Sequence, residues 1–115
     1  MNGRIVLATC RAESPEAAAV IEECGRAAIA GLGDEGSWRP SVRRRVLARS
    51  LLRRLISDWL GVRGETLSFR TDGHGKPYVE IEGSLCPPEI AISHTGQFVF
   101  VAATNIGRIG IDVEN

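Results

Sequence analysis

Asp112 and Glu114 stand two residues apart in the run GIDVE, near the end of a 115-residue chain. Alternate residues of an extended strand share a face, so both carboxylates lie on one side with Cα atoms about 7 Å apart. Two hard oxygen donors so arranged suit Mg2+, which takes one or two protein carboxylates and fills its shell with water and phosphate oxygens. Gly110, on the same face, leaves room for a ligand. The same spacing also suits the polar outer face of an edge strand, and D-x-E alone does not choose between them.

Three other groups can do chemistry. The turn Gly73-His74-Gly75-Lys76-Pro77 holds the only lysine of the chain. Glycine amides in a turn cradle phosphate oxygens and a lysine adds a point charge, although a plain hairpin turn also accounts for glycine and proline. The run Ile92-Ser93-His94-Thr95-Gly96 brings a hydroxyl beside an imidazole. A nucleophile and base could be built from them, but no third member of a triad is evident. Phosphate binding by Ser93 and His94 is a milder role, and a turn with a partly buried histidine is the ordinary one. Finally, residues 39–54 contain seven arginines and no acid. Arg45, Arg49 and Arg53 follow at four-residue steps with Arg44 and Arg54 beside them, which makes a solvated basic face or a site for an anion that guanidinium forks can grip.

The elements that position these groups follow from periodicity. Residues 4–10 read as a first strand. Ser14-Pro15 opens a helix that runs to about Ala30 and ends at Gly31 and Gly33. Ser41 caps a second helix, whose apolar positions Val42, Val46, Leu47, Leu51, Leu55, Ile56, Trp59 and Leu60 recur at three- and four-residue steps until Gly61. The period then changes to two: short strands over 66–70 and 78–82, a third at 90–92, an unbroken apolar strand over 98–103, a turn at Asn105-Ile106-Gly107 and a last alternating strand over 108–114. The layout is α+β, with two helices packed on a small antiparallel sheet in a single domain.

Composition narrows the partners. An apolar fraction of 43% is that of an ordinary globular chain. Fourteen basic and 14 acidic residues cancel, so no global field draws the protein to nucleic acid or membrane. Cys10, Cys24 and Cys86 are odd in number and form no C-x-x-C, as in a chain with reduced thiols. No apolar run is long enough to span a membrane or serve as a secretory signal. The expected location is the cytoplasm.

In order, the basic helix LARSLLRRL, then GKP, SHTG and GIDVE form a pattern that resembles the amino-terminal half of the Sfp-type 4'-phosphopantetheinyl transferases. The likeness runs from about Arg43 to Glu114. It implies a half-domain of that fold and a transfer of the phosphopantetheine arm of coenzyme A to a serine of an acyl or peptidyl carrier protein. By matching position it implies Asp112 and Glu114 as Mg2+ ligands. It implies Gly75, Lys76 and Pro77 around the coenzyme phosphates and adenine, and Ser93 and His94 as a coenzyme-binding pair. One or more of Arg44, Arg49 and Arg53 match the basic residues near the 3'-phosphate. The chain departs from the pattern at Ile90-Ala91, where the family has phenylalanine-asparagine, and at Thr95, where it has serine.

The family's second half carries W-x-x-K-E-[AS]-x-x-K, whose glutamate completes the metal site and is the candidate base; this chain has no such motif. The small trimeric carrier-protein synthases place their GxD strand and KE helix in an order this chain does not follow. The expectation is therefore an N-terminal half that is inactive alone, with no catalytic base of its own. A homodimer or a partner chain would cover the face left open. The alternative is a non-catalytic module that binds coenzyme A or a nucleotide, or self-associates. A nucleic-acid binder is disfavoured by the neutral net charge.

Overall fold

The computed structural model describes residues 4–24 and 38–105. Within them the order is β1 (Ile5–Arg11), α1 (Pro15–Cys24), α2 (Pro40–Leu60), a 3₁₀ turn (Gly64–Thr66), β2 (Leu67–Thr71), β3 (Pro77–Ile81), β4 (Glu89–Thr95) and β5 (Phe98–Thr104). The expected α+β layout holds, but the strands form two antiparallel sheets: β1-β5-β4, and a separate β2-β3 pair. The end of the first helix expected over 25–30 and the whole last strand expected over 108–114 lie outside the described residues.

Local chemistry sets the helix ends. Ser14 Oγ accepts the N–H of Ala17 at 3.1 Å and donates to the Arg11 carbonyl at 2.7 Å, so one hydroxyl caps α1 and ties it to β1. α2 starts two residues earlier than expected: Arg39, not Ser41, is the cap residue, without a side-chain hydrogen bond, and Pro40 takes the first turn, where its missing N–H costs nothing. Gly61 closes the helix at φ 69° and donates to Ser57 O at 2.9 Å.

The helices lie on one face of the three-stranded sheet. Ile21 of α1, Leu47, Leu52 and Ile56 of α2, Ile90 of β4, and Val99 and Val101 of β5 are almost wholly enclosed. Ser50 sits among them because its hydroxyl is satisfied within the helix, donating to Val46 O at 2.8 Å. β5 is the central strand, pairing with β1 on one side and β4 on the other, as its unbroken apolar run predicts. β4 is four residues longer than the expected 90–92: Ser93, His94 and Thr95 continue the ladder opposite Phe100, Val99 and Phe98. The SHT segment is thus the end of a strand and not the turn, which falls at Gly96 (φ 53°) and Gln97.

Candidate functional site

Strand alternation places Ile90, Ile92 and His94 on the face of β4 that meets the helices. The two isoleucines contribute to the core, and His94 emerges just past its rim. There the first turns of α2 pass above it. Ser41, Arg44, Arg45, Ala48, Ile92, His94 and Val99 line a cleft of about 290 Å³. Arg44 is half-buried, while Arg45 and His94 are exposed. Among the described residues no carboxylate lines this cleft. Among the described residues Arg44, Arg45 and His94 have neither an ion pair nor a hydrogen bond through their side chains. Two guanidinium groups and an imidazole facing an open cleft provide donors for one oxyanion.

Alternation also separates Ser93 from this cleft. It lies on the opposite face of the sheet, beside Phe100 in the register, and does not line the cleft with His94. Sequence adjacency suggested a pair; a strand turns such neighbours apart.

The other arginines divide sharply. Arg53 is an anchor. Its Nη1 donates to the carbonyls of Gly64 and Leu67, the latter at 3.1 Å, and its guanidinium lies 5.3 Å from the Phe69 ring centroid. Gly64 gives it room, since a Cβ there would meet Arg53 Cδ at 3.3 Å. Arg43 does similar work near the start of α2, donating to Ala12 O at 2.9 Å. Arg49 lines a second cleft, of about 450 Å³, with Arg53, Glu65, Leu67, Ser68, Phe69 and Arg70. The structure therefore gathers Arg44 with His94 and gives Arg49 and Arg53 different surroundings. Arg45 was part of the arginine row in the sequence, but only the helix position beside the end of β4 brings it to His94.

Lys76 sits in the turn between β2 and β3. Asp72 Oδ1 accepts the backbone N–H groups of Lys76 (2.9 Å) and His74 (2.8 Å), closing the turn around its own carboxylate. Those two hydrogen bonds, Lys76 first and His74 second, hold the Asp72 carboxyl below its ordinary pKa. Gly75 adopts φ 82°, as this turn requires, and Pro77 begins β3. Lys76 Nζ approaches Glu89 Oε2 at 3.4 Å in a half-exposed pair of small energetic weight. Glu89 opens β4 and His94 follows five residues on, so Lys76 and His94 mark points about 17 Å apart along one strand. Thr104, the last residue of β5, pairs with Glu89, so β5 ends at the Lys76 end of the sheet.

Asp112 and Glu114 lie outside the described residues. Among the described residues no three His, Cys, Asp or Glu side chains gather into a metal cage. No described helix is long and apolar enough to cross a membrane.

Compared with known families, residues 36–106 match the model described as 4'-phosphopantetheinyl transferase, N-terminal, which covers more than half the chain. Compared with curated proteins, the chain has no match. The matched stretch contains α2, the Lys76 turn and the His94 strand, and stops short of Asp112.

Proposed function

Because the chain belongs to the 4'-phosphopantetheinyl transferase family, whose N-terminal model spans its residues 36–106, we propose that it forms the half of such an enzyme that holds coenzyme A. The 3'-phosphate sits in the Arg44–Arg45–His94 cleft. The observation that carries this is the meeting of Arg44 and His94, from separate elements, in one cleft that no described carboxylate lines. A phosphate monoester there meets two planar forks and an imidazole donor, with no negative side chain among the described lining residues to repel it. Lys76, at the other end of β4, adds a positive charge for the pyrophosphate.

In the proposed reaction the serine hydroxyl oxygen of a carrier protein attacks the phosphorus bearing the pantetheine arm. A phosphoester forms, the phosphoanhydride bond breaks and 3',5'-ADP leaves, while the hydroxyl proton passes to a base that we assign to the family's second half. This chain's part is to bind, orient and neutralise charge. Asp112 and Glu114, hard oxygen donors, would hold Mg2+, which when bound neutralises the pyrophosphate oxygens.

Calorimetric titration with coenzyme A and with its 3'-dephospho analogue tests the assignment. Arg44→Gln should weaken coenzyme A by about tenfold and leave the analogue nearly unchanged, as expected for loss of one charge-assisted contact. An equal loss for both ligands would take the 3'-phosphate out of this cleft. A non-catalytic, self-associating module is the second reading, favoured by the exposed Ile5, Leu7 and Phe98 on the sheet face away from the helices. Light scattering that stays monomeric at high concentration would remove it.

A further inference from the structure

Among the described residues, the two-stranded sheet has an open edge. Glu82 N–H donates to Thr66 O at 2.9 Å and Asp72 N–H to Lys76 O at 2.9 Å. With the register Leu67↔Ile81, Phe69↔Val79 and Thr71↔Pro77, these bonds set the phase of the ladder: Ser68 and Arg70 exchange hydrogen bonds with β3, whereas the backbone groups of Leu67, Phe69 and Thr71 face the other way. Pro77 fits this phase, since its position needs no N–H toward β2. The Leu67 carbonyl on the open side is taken by Arg53. Phe69 and Thr71 have no backbone partner there among the described residues.

That edge borders the cleft of about 450 Å³, a ligand-sized space. Arg49 is half-buried in it with no ion pair or hydrogen bond among the described residues. Its one lining carboxylate, Glu65, is engaged by Arg63. Arg70, exposed at the rim, is shared with Glu80. Among the described residues the cleft is therefore cationic, and beside it stand two backbone donors and two acceptors without a described partner.

We propose that this edge is a docking site for an extended acidic segment of a partner protein, which adds as a third strand beside β2 and places its carboxylates on Arg49. A free phosphate would use the donors and leave the carbonyls of Phe69 and Thr71 unpaired; a peptide backbone satisfies both kinds of group, and acidic side chains supply the charge. This site is separate from the Arg44–His94 cleft and does not depend on the coenzyme assignment.

Two measurements test it. In amide hydrogen exchange of the unmodified chain, Phe69 and Thr71 should exchange quickly while Ser68 and Arg70 are protected. A peptide of alternating aspartate and valine should then slow Phe69 and Thr71. Protection of both in the free chain would mean the edge is already covered and would overturn the proposal. In fluorescence anisotropy, the labelled aspartate-valine peptide should bind and a lysine-valine peptide should not. Arg49→Gln should weaken binding by about tenfold, the effect of one charge-assisted hydrogen bond, and Thr71→Pro should weaken it by removing an edge donor. No binding, or binding indifferent to both substitutions, overturns the proposal and leaves the arginines as guards against edge-to-edge association. Displacement of the peptide by inorganic phosphate at equal concentration also overturns it, because the site would then be a simple oxyanion site.

Discussion

Arg44 and Arg53 belong to the same helix and the same residue type, yet their surroundings are opposite. Arg53 faces the chain that returns from the 3₁₀ turn into β2, and its guanidinium is consumed by two carbonyls and a phenylalanine ring. Arg44 faces the end of β4, where the strand has outlasted the core, and its charge meets no anion among the described residues. A basic helix is thus two devices in series. Where another backbone passes close, arginine fastens; where the sheet falls away, it is left facing a cleft.

The largest test of that contrast is stability. Arg53→Ala should lower the unfolding free energy by about 2–3 kcal/mol, from lost charged hydrogen bonds and the cation–π contact, read as a shifted midpoint in urea at unchanged slope. Arg44→Ala should stay within about 0.5 kcal/mol, as for a surface change; equal losses would erase the distinction. Next comes affinity: Arg44→Gln and His94→Gln should each weaken coenzyme A by about tenfold, roughly 1.4 kcal/mol, whereas Arg49→Gln should leave it unchanged. Arg43→Gln should cost about 1 kcal/mol of stability through the lost bond to Ala12 O without altering coenzyme binding.

The smallest effect concerns Asp72. Its folded-state pKa is depressed, so its contribution to stability is fully present above the ordinary value of 3.8 and is lost as pH falls through the lower folded value. Asp72→Ala should lower stability slightly at neutral pH and less at low pH, flattening that acid-side slope, the effect being small because the carboxylate is solvent-exposed. A titration of its side-chain carbon by NMR that follows the ordinary value would refute the turn's hydrogen bonds.

Much of this was legible in the sequence. The 3.6-residue stripe from Val46 to Ile56 located the core face of α2, and Ser14-Pro15 marked the start of α1. The family resemblance drawn from LARSLLRRL, GKP and SHTG is borne out by the match over residues 36–106. Less legible were facts that depend on non-local pairing. Nothing local to β1 says that it flanks β5 across almost the whole chain. The division of Ser93 from His94 required knowing that β4 continues past Ile92, and a run of polar residues hides that continuation. The roles of the arginines were unreadable for the same reason: helix phase gives an angle, and only the returning chain decides what stands at that angle.

The length of β4 has a consequence for how such chains can vary. Removing one residue between Ile90 and His94 would carry the histidine to the far side of the sheet and out of reach of Arg44. Removing two would restore its side but draw it about 7 Å toward Lys76. Viable length changes in this strand should therefore be even in number, each altering the distance between the two cationic ends.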